Sequence, residues 1–366
     1  MPIKKIYLLF LLHTLAFPKN SITQEIRLIE KFDPQKYVCF KTETPINIDG
    51  KSNEESWKAA PWTNYFIDIT GDSKSKPYLN TKVKMLWDNT YLYFLAEMEE
   101  PNIWATIQQH DSIIFRDNDF EIFIDPDGDT HNYYEFEINA FNTVWDLLLL
   151  CPYRDQSNPV VSAWDINGLK SSVYINGTIN NPNDKDSSWT VEIAMPWNVL
   201  KERANGKPKE GSQWRINFSR VEWKTETKNG KSYSKKKDIS SGNNLPENDW
   251  TWSPQSVVNI HLPEMWGFVQ FSEQSVFDGK QNFIWNEDED IKWLLRKMYY
   301  IMNEYYKQHH CYTADLTIFK SLENEIKKSN LKIEFTTSMY EISETDNKKE
   351  IVWHIRQDGK TWKTGK

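Results

Sequence analysis

Two short runs constrain this chain more than any other feature. In Phe120–Asp125, the apolar Phe120, Ile122 and Ile124 leave Glu121 on the opposite side. In Tyr133–Asn139, Tyr134, Phe136 and Ile138 alternate with Tyr133, Glu135, Glu137 and Asn139. A period of two is that of a β-strand with one face in a core, and it does not fit a helix. Pro126-Asp127-Gly128-Asp129 lies between the runs, a composition that closes a hairpin. The pattern recurs in Trp189–Met195, where Trp189, Val191 and Ile193 oppose Thr190, Glu192 and Ala194. It recurs again in Trp214–Val221, where Trp214, Ile216 and Phe218 oppose Arg215, Asn217 and Ser219.

Further aromatic and β-branched runs fill the chain from about Tyr37 to Glu273. They are Val83–Trp87 and Tyr91–Met98, joined by Asp88-Asn89-Thr90, then Thr143–Leu150, Ser172–Asn176 and Trp266–Phe271. Many short strands separated by Pro, Gly, Asn and Asp predict an all-β fold, an antiparallel β-sandwich of jelly-roll or immunoglobulin-like type. Pro196–Leu200 reads as one short helix with Pro in its first turn, and Lys224–Asn248 as a polar, mobile loop. The periodicity changes after Phe283. Asn286 is placed to cap a helix whose first turn is acidic (Glu287–Asp290) and whose apolar positions run from Ile291 to Tyr305. Lys332–Ile342 and Glu350–Arg356 read as strands, with a tight turn at Asp358-Gly359. Residues 284–366 are therefore expected to form a small C-terminal α+β appendage, and residues 37–283 to fold without it.

At the N-terminus, Lys4 and Lys5 precede an apolar run, Ile6–Phe17, too short to span a bilayer and suited to a signal peptide. The reading is a signal peptide over residues 1–17, a linker over 18–36, and export to the periplasm, cell surface or exterior. No cysteine follows the run closely, so a lipid anchor is not indicated, and no later stretch is apolar enough for a membrane span. The net charge of −8, from 44 basic and 52 acidic residues, argues against nucleic acid or an anionic membrane as partner. Cys39, Cys151 and Cys311 are too few and too scattered for a disulfide framework or a metal motif.

The strand Asp119-Phe120-Glu121-Ile122-Phe123-Ile124-Asp125 belongs to an ordered set. The others are Ile48-Asp49-Gly50 with Trp57, Val83–Trp87 followed by Tyr91-Leu92-Tyr93, Tyr133–Asn139, Trp189–Ile193, and Pro263-Glu264-Met265-Trp266-Gly267. In this order they resemble the family 9 carbohydrate-binding modules, over about residues 37–273. The resemblance implies a β-sandwich without catalysis of its own, binding glucan, xylan or related sugars, with structural calcium and two tryptophans enclosing a terminal sugar. Phe115 stands at the place of the first of those tryptophans and Ile260, beside His261, at the second. Glu121 matches the family glutamate, and Glu135 and Glu137 its polar positions on the next strand. The arginine expected near Glu137 is missing.

The residues agree with a sugar ligand. Four strands carry polar faces of carboxylates, amides and a guanidinium, the groups that hydrogen-bond hydroxyls. The chain also holds 17 Trp, 17 Tyr and 18 Phe, which build cores and stacking platforms alike. The candidate stackers are Trp104, Phe115 and Trp252, and the candidate polar ligands are Glu121, Glu135, Glu137, Asn139, Arg154 and His261. Asp125, Asp127 and Asp129, oxygen donors at alternate positions, are a candidate calcium site. The expected function is an exported protein that holds a poly- or oligosaccharide, in support of polysaccharide breakdown and alongside glycoside hydrolases. HExxH, GxSxG, Walker and GxGxxG motifs are absent from the sequence. One alternative is a glycoside hydrolase using two of these carboxylates. Another is a haem module using Met85 with His131 or His261.

Overall fold

The structure, a computed structural model, describes residues 32–155, 159–200 and 206–365. The Lys4–Phe17 run lies outside the described residues. Strands β1 (Lys36–Lys41), β2 (Ile67–Asp68), β3 (Thr81–Trp87), β4 (Tyr91–Glu99), β5 (Asp119–Asp125), β6 (Tyr133–Asn139), β7 (Val144–Leu149), β8 (Val160–Val161), β9 (Lys170–Asn176), β10 (Ser188–Pro196) and β11 (Gln213–Glu222) come first. A small hairpin, β12 (Thr225–Lys228) and β13 (Ser232–Lys235), precedes β14 (Asn248–Thr251) and β15 (Gly267–Ser275). That hairpin occupies part of the segment expected to be a loop. Helix α1 (Glu55–Ala59) sits between β1 and β2.

One large sheet runs β8-β7-β6-β5-β11-β15-β1-β3-β4-β10-β9, and it forks at β11. The first half of β11 pairs with β15, the second half with β14, which in turn holds β2. The sheet is mixed, a correction to the purely antiparallel expectation. β1 runs parallel to both β15 and β3. A parallel neighbour needs a long connection, and residues 42–80 with α1 supply it between β1 and β3.

Both halves of the sheet turn their apolar faces into one cluster, from Met85, Phe94 and Val191 on one side to Phe120, Phe136 and Phe218 on the other. Phe94 of β4 meets Phe218 of β11 edge-on at 5.8 Å, and Phe218 stacks on Phe120 at 5.9 Å. Trp87, Trp189, Trp214 and Trp252 all lie in this core. Met85 is sealed there, His131 sits beside Asp358 at 3.6 Å, and His261 pairs with Tyr133. The three occupy separate surroundings, which removes the haem pairing.

Two short motifs make structural sense here. Glu192 of β10 accepts hydrogen bonds from the Asp49 and Gly50 N–H groups and from the Trp57 indole, so it pins the chain entry to the sheet. Gly267 lies under the Trp252 ring, 2.3 Å from where a Cβ would stand, so a side chain is excluded there.

Helix α2 (Asp288–His309) carries the second cluster, with α3 (Glu323–Ile326) and a sheet of β16 (Leu331–Phe335), β17 (Tyr340–Asp346), β18 (Ile351–Arg356) and β19 (Thr361–Gly365). The expected strand Lys332–Ile342 is therefore two strands with a turn between. Val257, Leu262 and Met265 of the main body share this cluster with Leu295, Met298 and Tyr299 of α2. The boundary near 283 is thus crossed by apolar packing, and by ion pairs described below.

Candidate functional site

The outer face of β14, β11, β5, β6 and β7 assembles the polar residues. Strand register places Thr251, Ser219, Glu121, Glu137 and Trp145 in one row across the strands. Asp119 stands opposite Asn139, and Phe123 opposite Glu135, in the rows on either side. Asp119, Glu121 and Glu137 each bring a carboxylate oxygen within 4.8 Å of the other two. All are buried, and so is Glu135; Glu121 and Glu135 keep 5% exposure.

These four carboxyl groups have little to neutralise them. Among the described residues no Lys or Arg pairs with any of them, and an oxygen on each of Asp119 and Glu135 is buried without a hydrogen bond. Glu137 accepts the Phe115 N–H at 3.1 Å and contacts Glu135. Burial pushes the Glu121 carboxyl up to about 8, against the Ser219 hydroxyl, which pulls it down. Burial first, and neighbouring carboxylates second, push Asp119, Glu135 and Glu137 well above their ordinary range. At neutral pH the cluster therefore retains protons. A protonated carboxyl donates and a carboxylate accepts, which matches the dual character of a hydroxyl.

Aromatic side chains surround this face. Phe115 is 37% exposed and lies 6.5 Å from Trp145, tilted by 32°. The half-buried Trp223 donates its indole N–H to the Phe115 carbonyl at 2.8 Å, and Lys235 caps its ring at 3.2 Å. Tyr153, 38% exposed, feels the charges of Glu135 and Glu137 and stands edge-on to His261 at 4.6 Å. Sequence reasoning missed Trp145, Tyr153 and Trp223. Trp145 was within reach, because alternation along Thr143–Leu150 puts it beside Glu137 once the two strands pair. Tyr153 and Trp223 lie off the strands, where no periodicity marks them.

Several expected ligands have other duties. Trp252 is 2% exposed, tilted against Phe218 at 5.7 Å, and belongs to the core. Trp104 is 6% exposed and offers no open face. Asn139 donates to the Ile107 carbonyl and Asp117 and accepts from Phe141 and Thr143, so it ties a loop to the sheet. Arg154 pairs with Glu264 at 2.8 Å and Asp155 at 3.2 Å and donates to Tyr299 of α2. His261 shares a hydrogen bond with the Tyr133 hydroxyl at 3.0 Å, and burial lowers its imidazole to about 3, leaving it neutral. Only Phe115, Glu121, Glu135 and Glu137 of the expected set meet on this face, with His261 behind Tyr153.

The carboxylate oxygens of Asp125, Asp127 and Asp129 converge within 4.8 Å of one another, an oxygen-only set of the kind a hard cation takes. Asp125 also accepts the Gly128 and Thr130 N–H groups, and Lys360 reaches Asp129 at 3.0 Å.

The outer face of a mostly β fold thus joins a row of carboxyl groups to an aromatic rim. The profile of the carbohydrate family 9 binding domain-like family matches residues 48–251, and the chain belongs to that family. Endo-1,4-beta-xylanase C of Paenibacillus barcinonensis is 36% identical over 102 residues, 27% of this chain and 8% of that protein. The exoglucanase XynX of Acetivibrio thermocellus is 26% identical over 159 residues, 43% of this chain and 12% of that protein. The match thus spans only about a tenth of these relatives. Among solved structures, a carbohydrate-binding protein from Bacteroides uniformis aligns with TM-score 0.48 and 15% identity, over 66% of this chain and 100% of its own. A family 9 module from Caldicellulosiruptor kristjanssonii in complex with cellotriose aligns with TM-score 0.42 and 17% identity, over 69% and 100%. No helix among the described residues is long and apolar enough to cross a membrane.

Proposed function

We propose that this protein binds a poly- or oligosaccharide on the outer face of β11, β5, β6 and β7, and does not cleave it. The observation that carries this reading is the row Ser219–Glu121–Glu137–Trp145 with Phe115 beside it. It joins hydrogen-bonding groups of both kinds to flat apolar rings, as a sugar with polar edges and an apolar face requires. The large sheet folded around one core acts as the sandwich of the family. Calcium at Asp125, Asp127 and Asp129 would brace the β5–β6 turn, displacing Lys360 from Asp129. Export through the Lys4–Phe17 segment would bring the protein to polysaccharide outside the cytoplasm and to the hydrolases that degrade it. Mass spectrometry of the native protein, finding roughly the first 17 residues removed, would support export.

A hydrolase reading rests on Glu121 and Glu137, two carboxyls side by side with at least one protonated. Incubation with xylo- and cello-oligosaccharides separates the two readings. Retention of a sugar without release of new reducing ends supports binding alone, whereas turnover abolished by Glu137→Gln would establish the hydrolase.

A further inference from the structure

On the far side of β7 from Trp145, the chain builds a second cluster that the carbohydrate reading does not use. His110 and Asp111 stand in the segment between β4 and β5, Asp146 on β7, and Asp165 between β8 and β9. One donor atom from each lies within 4.8 Å of the others. His110, Asp146 and Asp165 line an open cavity of about 630 Å³ together with Gln108 and Asn142.

Asp146 gives the cluster its meaning. It is 2% exposed, and its Oδ2 accepts the Ile166 N–H. Its Oδ1 is buried with no hydrogen bond and faces His110 Nε2 at 3.7 Å. A buried carboxylate oxygen without a partner is costly, and a self-contained structural turn would have met it with an N–H. The other ring nitrogen, His110 Nδ1, is 3.0 Å from Asp111 Oδ1. A carboxylate on the second nitrogen is the usual way an imidazole is oriented toward a metal. Asp111 takes a left-handed backbone, φ 61°, and its N–H donates to the Val144 carbonyl, so the segment is tied to the start of β7.

We propose that His110, Asp146 and Asp165, oriented by Asp111, bind a divalent first-row transition cation such as Zn²⁺. A cation about 2.1 Å from both His110 Nε2 and Asp146 Oδ1 would see them at an angle of about 120°, near the tetrahedral value. The imidazole selects against Ca²⁺ and Mg²⁺, which take oxygen ligands. Three carboxylates supply the negative charge, and Asp165 and the open side of the cavity leave room for water. The bound ion would join the segment before β5, which also carries Phe115, to β7.

The test is calorimetric titration of the full chain, stripped with chelator, with Zn²⁺, Mn²⁺ and Ca²⁺ in separate arms, and with thermal melts in parallel. Zn²⁺ is expected to bind at about one per chain and to raise the melting temperature. Both His110→Gln and Asp146→Asn are expected to lose more than the roughly 10- to 100-fold that removal of an outer partner costs. His110 is exposed, so His110→Gln keeps the test valid if Asp146→Asn does not fold. Absence of Zn²⁺ binding would overturn the proposal. So would Zn²⁺ affinity unchanged in His110→Gln, or Ca²⁺ bound as tightly as Zn²⁺ and weakened as strongly by that substitution.

Discussion

The outer face of β5 and β11 carries buried charge at both ends, and the two ends handle it in opposite ways. At one end lie Asp119 and Glu121, with Glu135 and Glu137 across on β6. Four carboxyls share the space, and among the described residues no Lys or Arg forms an ion pair with them. At the other end, four residues along, Asp125 stands opposite Arg215. There Arg215 reaches Glu289 of α2 at 2.9 Å, Lys292 reaches the same carboxylate at 2.8 Å, and Arg154 reaches Glu264 at 2.8 Å. Phe123, Tyr133 and Trp266 pack between the two ends. Burial works to raise Glu264, yet Arg154, Arg296 and the Tyr300 hydroxyl outweigh it and hold the carboxyl at about 2. Glu289 is held low in the same way by Lys292 and Arg215. One end is a closed ion network that seats the C-terminal unit. Among the described residues the other is left short of donors and cations, which is the observation behind the proposed binding site.

Breaking the paired end should have the largest effect. Arg154→Ala leaves Glu264 and Asp155 buried without their guanidinium, and loss of one partner from a buried pair costs about 3–5 kcal/mol. Urea denaturation should show that loss, and ending the chain at residue 283 should abolish cooperative unfolding, because Val257, Leu262 and Met265 lose their cover. A stable, cooperative fragment would make the C-terminal unit the free appendage suggested by the change of periodicity.

The two ends should also respond oppositely to pH. The Glu121 carboxyl sits at about 8 in the folded chain against an ordinary 4.5. Above 4.5 the unfolded chain releases this proton while the folded chain retains it. The group's contribution is therefore fully present below about pH 4.5 and is lost as pH rises through about 8. Glu264, held at about 2, contributes above 4.5 and is lost only as pH falls toward 2. Thermal melts of the ligand-free protein should thus be highest near pH 5 and decline toward pH 8. A melting temperature rising across that interval would contradict the assignment of protonated carboxyls to this face.

The smallest expected effect sharpens the same contrast. Glu121→Gln keeps the shape and removes the titration, so the stability of the ligand-free protein at pH 8 should be unchanged or rise by about 1 kcal/mol, with a flatter pH profile. A loss of about 3 kcal/mol in urea would mark Glu121 as a structural residue like Glu264.

Much of this architecture was legible because strand alternation depends only on neighbours in sequence. Phe120–Asp125, Tyr133–Asn139, Trp189–Met195 and Trp214–Val221 all became strands with the expected inner and outer faces. Glu121 and Glu137 met because a hairpin turn joins their strands. What escaped depends on long-range placement. β1 runs parallel to its neighbours because the chain enters the middle of the sheet. Trp252 lies beyond the end of β14, where nothing local separates a stacking ring from a core ring; its burial against Phe218 and over the missing Cβ of Gly267 decides for the core. Arg154 read as a polar ligand of the sugar, but α2, more than a hundred residues later in the chain, brings Tyr299 to it. Tyr153 and Trp223 reach the rim through loops whose course no pattern records.

The central claim is that the unpaired end of this face is the carbohydrate site. Calorimetry with a xylo- or cello-oligosaccharide that the wild type binds tests it most directly, using Trp145→Ala, Glu137→Gln and, as control, Arg356→Ala, which removes only the pair with Asp358 in the C-terminal unit. Loss of a stacked ring, or of a hydrogen-bond partner whose removal leaves a buried group unsatisfied, costs about 1–3 kcal/mol, so each of the first two should weaken binding by roughly tenfold. The control should bind as the wild type does. Equal affinity in all three variants would contradict the account and reduce the carboxyl row to a solvated sheet surface.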